Sequence, residues 1–381
     1  MLLPISNTPR GYSWGSASLI AELEGRAPSG APEAESWYGD YAGSPSIVDD
    51  GTGRTLDVAL AEAGEPALPY LMKLLAAAST LSIQAHPTKE QAVAGFAHEE
   101  ARGIPRDAAD RLYRDDNHKP EIIVALSGTF RALLGLRSLP QTRRLVDALG
   151  DGPGARALAG RLNGDDESAV LRDALAWALS GSAPVAEIAA ELAAAASPEF
   201  TGELEVLCTI AAAFPGDPGL VVALLMNLVV LQRGEAVFAP AGVLHAYQDG
   251  LGVELMAASD NVLRGGLTRK HIDVPELLRI VDTTPGPVPL VAARWVAPGV
   301  EVFEVDVPDF ALTRVTVVGV AIPLTLMGPA IVLAVRGTVE VAAGAASVVL
   351  VPGRAAYLSA RDGDAVLTGS GEAFVATPGR R

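Results

Sequence analysis

A block of helical sequence interrupts a chain whose other segments are typical of strands, and this order limits the folds available to it. Residues 138–232 are rich in Ala, Leu, Arg and Glu at helical spacing, and the last helix is predicted at 219–231. On both sides of the block, short apolar runs alternate with Gly and Pro. Because the strand pattern resumes after the helices, we predict one sheet domain with a helical insertion.

The insertion divides the chain into three predicted units. Residues 1–137 and 233–284 form a split first β domain, residues 138–232 a helical domain, and residues 285–381 a second β domain. Short strands with frequent turns in the last unit predict a β-sandwich or jelly roll. The fold class is therefore mainly β with a helical insertion.

Two apolar runs need separate interpretation. Residues 68–77 (LPYLMKLLAA) predict a short apolar helix that contains Pro69 in its first turn. The uncharged run 315–335 has the length of a membrane span, but Pro323 and Pro329 interrupt it and valine is frequent, so it predicts buried strands.

The composition narrows the possible partners and the location. The net charge is −16, which disfavours binding to nucleic acid or to an anionic membrane surface. The single cysteine, Cys208, cannot form an intrachain disulfide, and the first residues lack a secretory signal pattern. We expect a cytoplasmic, monomeric protein without nucleic-acid or membrane partners.

Histidines are few, and their distribution restricts where a metal could bind. The chain has five of them, and none lies in its last quarter, so the second β domain is predicted to carry no metal ligands. They are His86, His98, His118, His245 and His271.

The segment 81–87 reads as a strand with one polar face. Ser82, Gln84 and His86 alternate with apolar residues and therefore project to the same side. Buried polar groups need a partner, and a metal or a ligand is one such partner. An exposed sheet face with a surface histidine is an equally good interpretation of this segment alone.

The segment 115–126 places a carboxylate at the mouth of an apolar strand. Lys119 precedes a proline and is therefore extended, so that it shares a face with Glu121. His118 stands beside them. A buried carboxylate needs a cation or a donor. The alternative is a turn before an edge strand, with Lys119 and Glu121 as a solvated pair.

Two further segments carry polar residues at strand spacing. A Pro-Ala-Gly turn precedes a strand on which His245 and Tyr247 share a face. The alternative is that His245 is an ordinary core histidine. Glu254 and Asp260 are followed by a basic group in an acidic protein, in which arginine suits a phosphate. The alternative is an ordinary charged loop. The basic residues are Arg264, Arg269 and Lys270.

Together these segments favour a metal centre. Two histidines and one glutamate on strands, without nearby cysteines, fit a catalytic zinc site with an open position at His86, Glu121 and His245. The same ligands also fit Fe(II), so a metal-dependent cupin oxygenase is an alternative. Carboxamides are uncommon zinc ligands, and this reasoning does not select Gln84.

Five motifs, in order, resemble those of type I phosphomannose isomerases. They are Tyr12-Ser13-Trp14-Gly15, Ser82-Ile83-Gln84-Ala85-His86-Pro87, Asn117-His118-Lys119-Pro120-Glu121, Pro240-Ala241-Gly242-Val243-Leu244-His245-Ala246-Tyr247 and Ser259-Asp260-Asn261-Val262-Leu263-Arg264-Gly265-Gly266-Leu267-Thr268. Each motif is moderately specific, whereas the ordered set is highly specific. Two departures are the absence of the family's His-Pro segment after Trp37 and an arginine at Arg269.

The resemblance implies a fold and a reaction. It implies two cupin-like jelly rolls with an α-helical domain, one Zn²⁺ per chain, and conversion of mannose 6-phosphate to fructose 6-phosphate through an enediol. Gln84 joins His86, Glu121 and His245 as an implied metal ligand, and Arg264 and Lys119 match catalytic positions. The expected substrate-binding residues are Ser82, His118, Tyr247, Glu254, Asp260 and Lys270.

Two points stay open at the level of sequence. The base that moves the proton between carbons is a zinc-bound water, Lys119, His118 or Glu254. A sugar-phosphate-binding protein without catalysis is the third alternative to the isomerase and the oxygenase.

Overall fold

A computed structural model describes residues 1–379, which form twenty strands and ten α-helices. The strands are β1 (Leu2–Ser6), β2 (Glu35–Tyr38), β3 (Ile47–Val48), β4 (Tyr70–Ala77), β5 (Ile83–Ala85), β6 (Glu121–Ala125), β7 (Thr129–Leu136), β8 (Met226–Gln232), β9 (Ala236–Ala239), β10 (His245–Ala257), β11 (Leu263–Gly266), β12 (Leu290–Val291), β13 (Ala293–Ala297), β14 (Val300–Phe303), β15 (Ala311–Val318), β16 (Ile322–Thr325), β17 (Ala330–Ala343), β18 (Ala346–Leu350), β19 (Ala355–Leu358) and β20 (Asp364–Thr377).

The helices lie mostly between β7 and β8. They are α1 (Leu19–Glu24), α2 (Leu56–Ala63), α3 (Lys89–Ala101), α4 (Leu139–Asp147), α5 (Pro153–Ala159), α6 (Glu167–Trp177), α7 (Val185–Ala194), α8 (Thr201–Ala213), α9 (Gly219–Leu225) and α10 (Val274–Ile280). A π-helical turn at Ala178–Ser182 follows α6. The predicted mainly β fold with a block of helices is confirmed.

Two antiparallel sheets of ten strands each form the β framework. The first sheet contains β2 and β4–β12, and the second contains β1, β3 and β13–β20. In the first sheet, the long strand β10 pairs with β5 and β7 near its start and with β4 and β6 over its second half. A shift in register between Tyr247 and Asp249 separates the two regions. Strand β10 therefore joins both halves of the sheet.

The N-terminal segment contributes strands to both sheets. Strand β1 pairs with β19 and β3 pairs with β1, both in the second sheet, whereas β2 pairs with β4 in the first. The sequence assigned all of residues 1–137 to the first β domain. Strand pairing links this segment to the second unit as well.

The two sheets pack face to face through an apolar core. Met72 and Leu74 from β4 lie in one buried cluster with Ile331, Leu333 and Phe374 of the second sheet. Because side chains alternate along a strand, Lys73 and Leu75 face the opposite side, where Leu75 joins a separate cluster inside the first sheet. That inner side also receives the polar residues described below.

The helical block has its own core. Leu145, Leu171, Ile188 and Leu207 pack together and against residues of the first sheet such as Ile83 on β5. The predicted helix at 219–231 is half wrong, since α9 ends at Leu225 and β8 follows it at once. Residues 219–231 are apolar except for Asn227, so the change from helical to strand spacing is not visible in the sequence.

The predicted helix at 68–77 is wrong, because these residues form β4. Every residue of β4 is buried, so the alternation that marks a half-exposed strand is absent. Lys73 is the one charged residue of the run, and its burial is explained by the site.

The uncharged run 315–335 forms strands with turns between them, in parts of β15, β16 and β17. The sequence predicted two buried strands, whereas the structure has three strand segments, and Val318, Val320 and Met327 are exposed. None of the helices within residues 1–379 has the length and hydrophobicity that a bilayer crossing requires.

Candidate active site

Three side chains that are distant in sequence meet at one point beside strands of the first sheet. His86 follows β5, Glu121 begins β6 and His245 begins β10, and their ligand atoms lie within 4.8 Å of one another. Glu121 Oε1 is 3.3 Å from His86 Nε2, and Glu121 Oε2 is 3.2 Å from His245 Nε2. All three are buried, and both histidines are 0% exposed.

The tautomers of both histidines follow from their other ring nitrogen. His86 Nδ1 lies 2.6 Å from the main-chain oxygen of Asn261, and His245 Nδ1 lies 3.1 Å from that of Val243. A carbonyl oxygen only accepts, so each Nδ1 carries the hydrogen and donates it. In the neutral rings, both Nε2 atoms therefore present lone pairs to Glu121.

Near neutral pH, protonation of His86 or Glu121 does not supply a hydrogen between these acceptors. Burial, and then the neighbouring Lys119 ammonium, lower the pKa of His86 to about 4. Burial acts to raise the pKa of Glu121, but the Lys119 charge and the contacts with His86 and His245 together outweigh it and hold that pKa well below its usual range. Accordingly, His86 Nε2 and Glu121 Oε2 are buried without a hydrogen-bond partner. A cation is the group that satisfies such a donor set.

Local structure holds these ligands in place. Pro120 keeps Lys119 extended, and Lys119 Nζ lies 2.8 Å from Glu121 Oε1. Asn261 is fully buried, and its amide donates to the main-chain oxygens of Asp115 and Asn117 at 2.8 Å. The same residue accepts from His86, so it ties the loop before β6 to the end of β5.

A capping box starts α3 three residues after His86. Thr88 accepts from the main-chain nitrogen of Gln91 at 3.2 Å, and Gln91 accepts from that of Thr88 at 2.9 Å. This reciprocal pair fixes the first turn of α3, and β5 ends at Ala85 on the other side of His86. His86 is therefore fixed at a junction between two elements.

Strand register aligns a second set of side chains. Arg264 on β11 pairs with Gln84 on β5, and Gln84 pairs with His245 on β10. The three residues form one row across neighbouring strands, and the amide nitrogen of Gln84 lies 3.2 Å from His245 Nε2. Arg264 Nε is buried and has no hydrogen-bond partner.

A cavity of about 540 Å³ opens beside this centre. Its lining includes Gln84, Lys119 and Glu121 from the centre, with Arg264, Arg269 and Lys270 on a cationic wall. Burial, followed by the charge of Arg114, lowers the pKa of Arg264. The lining thus combines a carboxylate that needs a cation with cations that need an anion.

A buried ion-pair group also lines the cavity. Lys73 Nζ is 3.0 Å from Glu254 Oε2 and 3.7 Å from Glu35 Oε1, and Trp37 Nε1 donates to Glu35 at 2.8 Å. Burial raises the pKa of Glu254; Lys73 opposes that rise, and the carboxylates of Glu121 and Glu35 add to it. Burial alone would lower the pKa of Lys73, but these carboxylates keep it above its usual value.

Comparison with known proteins places this geometry in a family. Residues 2–139 match the sequence model described as phosphomannose isomerase type I, catalytic domain. The mannose-6-phosphate isomerase of Salmonella typhimurium is 37% identical over 325 residues, which cover 81% of this chain and 82% of that protein. The Bos taurus mannose-6-phosphate isomerase is 32% identical over 363 residues, covering 84% and 82%.

The chain belongs to the type I phosphomannose isomerases. Its predicted membership of that family, and its nature as an isomerase, are therefore confirmed.

Solved structures extend the similarity over the whole length. A mannose 6-phosphate isomerase from Salmonella typhimurium, bound to fructose 6-phosphate and zinc, has a TM-score of 0.88 and 32% identity, with 100% of both chains covered. A zinc-bound mannose 6-phosphate isomerase structure gives the same TM-score, identity and coverage.

Most of the residues predicted from the phosphomannose isomerase motifs line the cavity. These are Ser82, Gln84, Lys119, Glu121, Tyr247, Glu254, Asp260, Arg264 and Lys270. His86 and His245 lie buried behind Gln84 and Glu121. His118 is not part of the lining, since its Nε2 is 2.6 Å from Asp309 Oδ2 in the segment before β15. The structure thus gives no support to its predicted contact with substrate.

The segment after Trp37, which departs from the family pattern, contributes Tyr41 to the cavity lining. Tyr41 lines the cavity and packs against Trp37, with ring centroids 6.0 Å apart. Asp40 faces away and accepts from the main-chain nitrogen of Leu68 at 3.1 Å. An aromatic side chain therefore stands in this loop, where the family usually has a histidine and a proline.

Sequence reasoning missed Lys73, Glu35 and Asn261. A lone lysine inside the apolar run 68–77 was the signal for Lys73, but it had been assigned to a helix. Glu35 and Asn261 act through partners that are remote in sequence. Asn261 lies within the family motif 259–268, but the motif by itself assigned it no role.

The Lys73 ammonium is predicted to stabilise the fold by neutralising Glu254 and Glu35. Lys73→Met should lower the free energy of unfolding by ~3–5 kcal/mol, because it leaves buried carboxylates without a cation. Adding Glu254→Gln should recover part of that loss, and Lys89→Met at an exposed pair should change little. Urea denaturation of the wild type and the three variants measures this; equal midpoints for Lys73→Met and Lys89→Met would contradict it.

Proposed function

We propose that the chain is a zinc-dependent aldose–ketose isomerase that interconverts mannose 6-phosphate and fructose 6-phosphate through an enediol. The observation that carries this proposal is the buried Glu121 carboxylate, which faces unprotonated imidazole nitrogens beside a cavity with a cationic wall. The carboxylate and the imidazoles call for a metal ion, and the cationic wall calls for an anionic substrate. The solved relative that carries both zinc and fructose 6-phosphate supports the combination.

We also propose that each sheet is a cupin-like jelly roll and that the domains are 1–137 with 233–284, 138–232, and 285–381. In support, β10 closes the first sheet by pairing in both halves, and α4–α9 fall within the helical segment. Strand pairing crosses these bounds. Strands β1 and β3 of the first domain lie in the second sheet, whereas β8, within 138–232, and β12, within 285–381, lie in the first.

One zinc ion per chain would be held by Gln84, His86, Glu121 and His245. The converging Nε2 atoms and the Glu121 carboxylate match the nitrogen and oxygen ligands that zinc accepts. Gln84 lies at the same opening, and a half-turn of its amide exchanges nitrogen for oxygen and offers an acceptor to the ion. A site with four protein ligands beside an open cavity leaves room for a sugar oxygen.

The substrate phosphate would lie against Arg264, Arg269 and Lys270. Arg264 has a buried Nε without a partner, which a phosphate oxygen would satisfy. Ser82, Tyr247 and Asp260 line the same cavity and offer hydrogen-bonding groups to the sugar hydroxyls.

Isomerisation moves a proton between C1 and C2, and negative charge develops on the neighbouring oxygens. Bound zinc would act as a Lewis acid on these oxygens. Lys119 and Arg264 line the same cavity as Gln84 and Glu121, and their charges would stabilise the developing oxyanion. Lys119 also keeps Glu121 ionised through its 2.8 Å contact.

We assign the proton transfer to Glu254, from among the groups that the sequence left open. Its carboxyl is buried, lines the cavity and has a raised pKa, so it can both take and return a proton. Lys73, at 3.0 Å, would keep it oriented and ionised before the transfer. His118 lies away from the cavity against Asp309, and Lys119 is engaged by Glu121.

The cationic wall also discriminates against the alternatives. A cupin oxygenase would use the same metal ligands, but its chemistry does not need three cations beside the metal. A protein that only binds sugar phosphate would not need a buried carboxyl with a raised pKa. The cytoplasmic location, the monomeric state and the absence of nucleic-acid or membrane partners remain predictions from composition.

The activity is tested with mannose 6-phosphate in a coupled assay for fructose 6-phosphate, together with metal analysis. We expect about one zinc per chain, turnover that a chelator abolishes, and recovery when zinc is added. Full activity in the metal-free protein would sink the scheme. Iron with oxygen uptake would favour the oxygenase, and binding without turnover would favour the non-catalytic protein.

The role of Glu254 is tested by Glu254→Gln. The amide keeps the shape but cannot take a proton, so kcat should fall by ~10²–10⁴-fold while the zinc content is unchanged. Glu62→Gln, at an exposed carboxylate, is the matched control and should keep the wild-type rate. A Glu254→Gln variant with nearly wild-type kcat would transfer the role to another group.

A further inference from the structure

The turn after β11 has a backbone that needs support. Leu267 has φ +55°, and it is the only residue other than glycine with a positive φ among residues 1–379. Gly266 before it has φ +127°. A branched side chain such as leucine disfavours this region, so a residue held there is fixed by its surroundings.

The support comes from the helical block. Asp217, in the connection between α8 and α9, accepts at Oδ1 from the main-chain nitrogens of Leu267 at 3.0 Å and Gly219 at 2.7 Å. Its Oδ2 accepts from the main-chain nitrogen of Thr268 at 3.2 Å. A charged carboxylate forms stronger bonds of this kind than a neutral acceptor does.

The two backbones also touch at a pair of glycines. A Cβ on Gly266 would lie 2.3 Å from Gly219 Cα, and a Cβ on Gly219 would lie 2.5 Å from the main-chain nitrogen of Leu267. No side chain fits between them. The start of α9 and the turn therefore form one rigid unit, with Asp217 at its centre.

This turn carries the cationic wall of the cavity. Arg264 and Gly266 belong to β11, and Arg269 and Lys270 follow the turn directly. Burial, and then the charges of Arg264 and Arg114, lower the pKa of Lys270. Cations gathered in this way repel each other, so their positions depend on the backbone that holds them.

We propose that Asp217 is a positioning residue for substrate phosphate: by holding the strained turn at Leu267, it sets Arg264, Arg269 and Lys270 in the geometry that binds the phosphate. Asp217 touches no substrate itself, and it acts from a domain fifty residues away in sequence. The helical block thereby contributes to recognition in the first sheet. This inference rests on the proposed function, which supplies the phosphate.

The test compares Asp217→Ala and Asp217→Asn with Asp166→Ala in the zinc-loaded full chain. Asp166 also accepts from a main-chain nitrogen in the helical block, at the start of α6, and is therefore the matched control. We would measure kcat and KM for mannose 6-phosphate, and the dissociation constant of inorganic phosphate by calorimetry.

Asp217→Ala should raise KM and the phosphate dissociation constant together by ~10-fold or more, and kcat should fall by a smaller factor, because of the three cations only Arg264 is also assigned to the reacting oxygens. Asp217→Asn keeps one oxygen acceptor, loses the charge and places an amide against the Thr268 nitrogen, so its values should lie between those of Asp217→Ala and the wild type. Asp166→Ala should match the wild type in all three constants.

Unchanged KM and phosphate binding in Asp217→Asn, in a variant that melts like the wild type, would overturn the proposal even if Asp217→Ala fails to fold. Equal effects in Asp166→Ala, or a fall in kcat alone, would also overturn it. A wild-type protein without isomerase activity would refute the proposed function, and the calorimetric comparison would still decide the role of Asp217.

Discussion

The site depends on one unfavourable meeting of groups: a buried carboxylate that faces the Nε2 atoms of two buried imidazoles. Glu121 lies 3.2–3.3 Å from Nε2 of His86 and of His245, and His86 Nε2 and Glu121 Oε2 have no hydrogen-bond partner. In a dry interior this arrangement is costly, and a cation removes the cost. Binding of a metal ion would therefore stabilise the fold at the point where its strands converge.

The rest of the first sheet fixes that meeting. Register places Gln84 beside His245 and Arg264 beside Gln84, so two of the proposed metal ligands and one cation of the cavity share one row across three strands. Asn261 ties the loop before β6 to His86, since its amide donates to the main-chain oxygen of Asn117 and its own main-chain oxygen accepts from His86. In the helical block, Asp217 accepts from the main-chain nitrogens of Leu267 and Thr268 in the turn after β11. Metal and phosphate would thus be bound at adjacent positions of a single rigid framework.

Buried acidic and basic groups beside the cavity balance one another only in part. Glu121, Glu254 and Glu35 are three buried carboxylates, and Lys73 and Lys119 are the two buried ammonium groups that face them. One negative charge remains in excess. A bound divalent cation would turn that excess into one net positive charge. The cavity would then attract an anionic substrate.

Some of this was legible in the sequence. The order of strands and helices predicted the mainly β fold, and alternation on short strands brought His86, Glu121 and His245 together as metal ligands. The resemblance to the family was needed for Gln84, because ligand chemistry does not favour an amide. Because β4 is buried on both faces, its sequence lacks the alternation that marks a strand. The sequence therefore did not indicate that Lys73 faces the site. Asp217, Asn261 and the pairing of β1 with β19 depend on contacts between distant segments, which no local pattern encodes.

The central claim is that the acceptors of Gln84, His86, Glu121 and His245 surround one zinc ion. Anomalous X-ray scattering at the zinc absorption edge, from crystals of the zinc-loaded protein, tests it directly. We expect one strong peak per chain, about 2.0–2.2 Å from the Nε2 atoms of His86 and His245 and from an oxygen of Glu121. A peak elsewhere, or a fully zinc-loaded protein without density between these side chains, would contradict the account.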